Sequence, residues 1–191
     1  MDNKFFTFIK PGLDYIDSGK IYQKPFKLLY ILMAILNLLI SPFILYGAIS
    51  SSIFDAPAEM IISFFLIWII TTIVCWISFQ IWWNRKDTID RNHQEDDEFV
   101  ATPVFAHFTQ TFGEWMGFMT AVLGFFVSLI VVILMGDSAG RSLPEPLSTF
   151  ASGYVGLIIM PICGFLIIVA SRFFAEQIKA IATIANNTKK L

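Results

Sequence analysis

The sequence predicts an all-α integral membrane protein with four transmembrane helices. Three observations carry that reading: 56% of the 191 residues are hydrophobic, only 15% are charged, and the apolar residues gather in long charge-free runs. Soluble domains carry about a quarter charged residues. The runs without Asp, Glu, Lys or Arg are 28–54, 60–84, 115–136 and 146–171. About 20 residues of helix, at ~1.5 Å each, cross the ~30 Å hydrocarbon layer, so each run suffices. Lipid offers the backbone no hydrogen-bond partners, which selects helix over isolated strand. Spans are therefore expected near 28–49, 60–82, 117–136 and 153–171, as two helical hairpins.

The segments divide accordingly. Residues 1–27 form an N-terminal arm, 28–84 the first hairpin, 85–116 a central loop, 117–171 the second hairpin and 172–191 a tail. The first run begins after 27 residues and lacks a small-residue cleavage site, so it is expected to stay as a signal anchor. Of the 13 Lys and Arg, all but Arg141 fall in the arm, the central loop or the tail. The opposite connections hold Arg141 against Asp55, Glu59, Asp137 and Glu145. Retention of basic residues in the cytoplasm then predicts cytoplasmic termini and a cytoplasmic central loop. Trp82, Trp83 and Trp115 lie where amphipathic rings favour the headgroup level.

In the arm, Phe5, Phe6, Phe8 and Ile9 precede Pro11-Gly12, and Leu13 and Ile16 precede Ser18-Gly19. Short apolar faces broken by turn residues suggest interfacial segments. Arg85–Glu98 is polar and aperiodic, which reads as a solvated connector. From Pro103 the pattern changes: Phe105, Phe108, Phe112, Trp115 and Met119 recur at spacings of 3 and 4. An interfacial amphipathic helix over 103–115 is expected, bent at Gly113 or Gly117 on entering the third span. After the fourth span, Phe174, Ile178, Ile181 and Ala185 continue a helical stripe to a stop at Asn186-Asn187. That cytoplasmic helical extension needs a partner for its apolar side.

The polar residues offer few chemical options. His107, Gln110 and Glu114 share one helical face, and a His–Glu pair two turns apart could share a proton or hold a metal with a third ligand. The same face also reads as the wet side of an interfacial helix, with Glu114 pairing a Lys or Arg of the arm or tail. His93 before Glu95, Asp96, Asp97 and Glu98 lacks the ligand spacing of a calcium loop. Asn37, Thr71, Thr72 and Gln80 lie within spans, where they can bond between helices or line a path for a solute. No ionisable group lies at a span centre, where proton and ion transporters keep them. Cys75 and Cys163 read as small packing residues, and Pro42 and Pro161 as sites of kinking. Nucleotide, dinucleotide, zinc and serine-hydrolase motifs are absent, so neither catalytic residues, metal nor cofactor is expected. A net charge of −2 gives no support to nucleic-acid binding.

The text Pro103-Val-Phe-Ala-His-Phe-Thr-Gln-Thr-Phe-Gly-Glu-Trp-Met-Gly117, with Arg172-Phe-Phe-Ala-Glu176 and Ile184-Ala-Asn-Asn-Thr188, resembles small multi-span bacterial inner-membrane proteins grouped as domains of unknown function. The resemblance lies mainly over 103–188 and implies a bacterial inner-membrane setting without any activity. The expected role is a non-enzymatic membrane subunit or scaffold in the lipid bilayer, forming a homo-oligomer or joining other membrane subunits. The alternatives are an oligomeric channel or small-solute transporter lined by Asn37, Thr71, Thr72 and Gln80, and a membrane enzyme using His107 and Glu114.

Overall fold

A computed structural model describes residues 9–12, 20–91, 101–135 and 153–188. The described residues are helical with short turns and contain no strand. The helices are α1 (Lys20–Ser50), α2 (Ala58–Arg85), a single turn α3 (Thr88–Arg91), α4 (Ala101–Ile130), which ends in a π-helical turn (Val131–Met135), and α5 (Gly153–Thr188). The four long helices are apolar and long enough to cross a membrane, as expected. The apolar faces of Phe5 to Phe8 and of Leu13 and Ile16, the acidic cluster after His93 and the connection 137–152 lie outside the described residues.

A tight turn joins α1 to α2. The Ser51 N–H donates to Gly47 O at 3.0 Å, Ser52 takes a left-handed φ of 56°, and a 3-10 turn spans Ile53–Asp55. Pro57 then opens α2, its carbonyl accepting from the N–H groups of Met60 and Ile61. Left-handed backbone is costly for a residue with a Cβ, so the chain reverses here in a single defined geometry.

The second hairpin is held by a seam of small residues. An added Cβ on Gly117 would meet Gly164 O at 2.5 Å, and one on Gly124 would meet Met160 Cβ at 2.5 Å. One on Gly113 would overlap the Ser171 side chain. These pairs run in opposite directions along the chain, so α4 and α5 are antiparallel and nearly in backbone contact. In lipid the hydrophobic effect does not drive helices together, and close approach of small residues supplies dispersion contact instead. α4 also meets α2 and α1, whereas α5 leans on α4 and its π turn.

Five expectations change. The helix expected over 103–115 is the first half of α4, which continues into the span as one α-helix. Gly113 and Gly117 serve the seam, because glycine removes the Cβ that would hold the helices apart. The connector is not wholly solvated: Thr88–Arg91 is helical and Ile89 is 1% exposed. Apolar burial outweighs the polar sequence around it, since one isoleucine placed in a core gains ~2 kcal/mol. From the end of the fourth run into the tail, Ser171, Ala175 and Ala182 are buried while Phe174 and Ile181 face outward. The small side chains allow α5 to stay close to α4, and the large ones cannot fit there. The helix also runs through Asn186-Asn187 to Thr188.

One end of the molecule carries a protein-like core. Tyr30, Ala34, Trp82, Ile89 and Val104 are buried together, with Phe26, Phe79, Phe108, Phe112 and Trp115 packed against them. Tyr30 and Trp82 meet edge to face at 5.0 Å, and Trp82 and Trp115 at 5.9 Å. Such T-shaped pairs add to the area they bury. This core joins the start of α1, the end of α2, α3 and the first half of α4, and we call this the basic end.

Candidate functional site

A polar network at the basic end connects all four long helices through Glu114. The Glu114 side chain is 11% exposed and faces two arginines. Arg85 Nη2 of α2 donates to its Oε2, and Arg172 Nε of α5 donates to its Oε1 at 2.7 Å. Gln110, one turn earlier on α4, donates to Oε1 at 3.0 Å. An isolated carboxylate at this depth would be strongly disfavoured; two guanidinium groups and an amide make it acceptable.

The three ions have a sequence meaning. Arg85 follows the second charge-free run, Glu114 precedes the third and Arg172 follows the fourth. Their meeting in one cluster places the charged ends of three spans in a common plane. Trp83 is exposed, with Lys86 Nζ 4.1 Å from its ring centre, whereas Trp82 and Trp115, expected beside it as headgroup anchors, pack into the aromatic core.

From Arg85 the network continues towards α1. Arg85 Nη1 donates to Thr111 Oγ1 at 3.3 Å, the Tyr30 hydroxyl donates to the same oxygen at 3.1 Å, and Thr111 donates to His107 O at 2.9 Å. Tyr30 Oη also lies 2.8 Å from His107 Nδ1. Tyrosine has one proton, and here Thr111 receives it. The remaining contact is satisfied when Nδ1–H of a neutral His107 donates to Tyr30. The hydroxyl of Thr111 thereby accepts two bonds and donates one, its full capacity. Nearby, Trp115 Nε1 donates to Asn37 Oδ1 at 3.0 Å, and Asn37 Nδ2 donates to Met33 O at 2.7 Å. Trp82 Nε1 is buried with no hydrogen-bond partner among the described residues.

The sequence-derived candidates thus separate. His107, Gln110 and Glu114 do share a face of α4, but that face turns into the bundle, with His107 and Glu114 each 9% exposed and Thr111 fully buried. The wet face expected of an interfacial helix is therefore an inner face, because Tyr30, Arg85 and Arg172 supply the partners that water would otherwise provide. His107 turns to Tyr30 while Glu114 turns to the arginines, so the two serve different partners. Among the described residues, no three His, Cys, Asp or Glu side chains gather as a metal-binding group.

Asn37, Thr71, Thr72 and Gln80 do not line a common path. Asn37 bonds Trp115 and Met33 O, Thr71 is buried, Gln80 is exposed, and Thr72 Oγ1 pairs with Ser41 Oγ at 2.6 Å while donating to Trp68 O at 2.8 Å. Cys75 is buried and Cys163 half-buried, both as free thiols.

The pairing expected between Glu114 and a basic residue of the arm or tail is made by Arg172, whereas Tyr30 and Arg85 lie outside the partners the sequence suggested. The charges at the run boundaries were a usable signal for the two arginines. The spacing Gly113, Gly117, Ala121 and Gly124 was a signal for the α4–α5 seam. Tyr30 lies in an apolar stretch and gives no such cue.

Fold and site together define a multi-pass, all-α membrane protein whose four long helices are tied at one end by a polar network around Glu114 and Thr111. Comparison of the chain with protein-family models, with curated proteins and with solved structures finds no match.

Proposed function

We propose that this protein is a non-enzymatic integral membrane subunit or scaffold of the bacterial inner membrane, with both termini and the 85–114 connection in the cytoplasm. Orientation follows from the confinement of Lys and Arg, apart from Arg141, to segments on one side. The polar site suits a structural role: both oxygens of Glu114 are occupied by cationic or amide donors, which leaves a poor base and a poor nucleophile.

The single observation that carries the subunit reading is the end of α5. With 36 residues, α5 is about 54 Å long at ~1.5 Å per residue, well beyond a ~30 Å hydrocarbon layer. Past the plane of Arg172, Phe173, Phe174, Ile181 and Ile184 are 55%, 59%, 66% and 65% exposed. Phe173 and Phe174 lie within the headgroup layer, but Ile181 and Ile184, about 14 and 18 Å past Arg172 at ~1.5 Å per residue, lie beyond it, and apolar groups exposed there mark an interaction surface. A second copy or another membrane subunit would cover them.

The test is extraction in a mild detergent followed by affinity purification and mass determination. A complex of defined stoichiometry is expected, and Phe174→Ser with Ile181→Ser should disperse it without unfolding the chain. A monodisperse monomer with no associated protein would overturn the proposal.

A further inference from the structure

We propose that Arg172 clamps the phosphate of a phospholipid against α5. The carboxylate of Glu114 is already matched by Arg85, so Arg172 brings one positive charge more than the buried cluster needs. Its side chain is 57% exposed. It engages Glu114 through Nε alone, and its terminal amino groups have no partner among the described residues. A guanidinium edge of this kind takes two oxygens of a phosphate in parallel.

The position selects an amphiphile. Arg172 lies in the plane where three charge-free runs end, the level at which bilayer phosphates lie. On the hydrocarbon side of α5, Val169 and Phe165 stand three and seven residues before Arg172, on the same helical face. They are 46% and 63% exposed. A phosphate held by Arg172 would thus have its acyl chain lying along Val169 and Phe165. Exposed Glu176 and Lys179, one and two turns beyond, carry opposite charges and leave the excess at Arg172 in place.

A soluble phosphate ester would present the same oxygens, so the test separates the two sources. The full-length protein in detergent is equilibrated with phosphatidylglycerol, with diacylglycerol of the same chains, or with glycerol phosphate, and bound ligand is measured by native mass spectrometry. The wild type should retain phosphatidylglycerol over diacylglycerol. Arg172→Gln should retain phosphatidylglycerol about fivefold less, the share of one basic residue near anionic lipid, with diacylglycerol unchanged. Arg172→Lys should fall between the two, because an ammonium cannot fork. Displacement of the lipid by glycerol phosphate would reassign the site to a soluble ester, overturning the lipid proposal. Equal retention of the two lipids by the wild type would also overturn it, and so would undiminished phosphatidylglycerol binding by a monodisperse Arg172→Gln protein. Should Arg172→Gln not fold, the wild-type comparison and Arg172→Lys decide.

Discussion

The basic end and the opposite end of this molecule are built on different physics. At the basic end, aromatic rings interlock around Tyr30 and Trp82, and polar side chains from every long helix find partners. Along the apolar stretches of the spans little is buried against protein, and a shallow groove of about 400 Å³ lined by Leu36, Leu39, Ile40, Phe43 and Ile44 opens on α1. Lipid can solvate those side chains as well as protein can, so burial there adds little. Directional bonds and shape-matched rings therefore specify how the helices associate at the basic end. Away from it, the α4–α5 seam of small residues and the Ser41–Thr72 and Trp68–Ser41 bonds between α1 and α2 hold the helices.

The largest effect should come from breaking that seam. Gly117→Leu forces a side chain into the Gly164 backbone, and a loss of about 3 kcal/mol or of the folded protein is expected in detergent-titrated unfolding. Gly47→Leu is the control, because nothing lies within 4 Å of its Cβ position. Next comes Glu114→Ala, which leaves two guanidinium groups facing one another. A cost of about 3 kcal/mol is expected, the lower end for a broken buried pair because Arg172 is more than half exposed.

Double-mutant cycles sharpen the comparison within the cluster. Coupling of Glu114 to Arg85 should be about 2 kcal/mol, against 1 kcal/mol or less, roughly, for Arg172, since the side chain of Arg85 is 30% exposed and better shielded from solvent. Smaller still is Trp115→Phe, which removes the N–H donated to Asn37 and should cost about 1 kcal/mol beyond its lost ring volume. Trp82→Phe removes an N–H that has no partner among the described residues, so only the packing loss should appear. Asp87→Asn should change stability by less than ~0.5 kcal/mol, because its ion pair with Lys27 is long, at 3.8 Å, and exposed. A large effect at Asp87 together with a negligible one at Glu114 would reverse this ordering.

Much of this could be read directly from the residues. The four charge-free runs announce four long helices, since a backbone in lipid has no other way to satisfy its donors over such lengths. The face shared by His107, Gln110 and Glu114 is equally legible from helical spacing. Its direction is not. A polar stripe beside an aromatic stripe looks interfacial when water is assumed to be its partner, and only the arrival of Tyr30, Arg85 and Arg172 turns it inward. Ile89 is a similar case: one apolar residue in a polar stretch has no periodicity, yet the neighbouring aromatics bury it. The glycine spacing of α4 was visible but is ambiguous in isolation, because glycine serves bends and close contacts alike.

Hydropathy and the distribution of lysine and arginine determine by themselves that this is a four-helix membrane protein and where its charged ends lie. Both are local properties, set by each segment's transfer free energy between water and lipid. Tertiary structure alone decided that Arg85, Glu114 and Arg172 form one cluster, that α5 leans on α4 through small residues, and that the tail turns large apolar groups outward. Those outcomes depend on the rotation and register of helices far apart in the chain, which no periodicity within a single helix encodes.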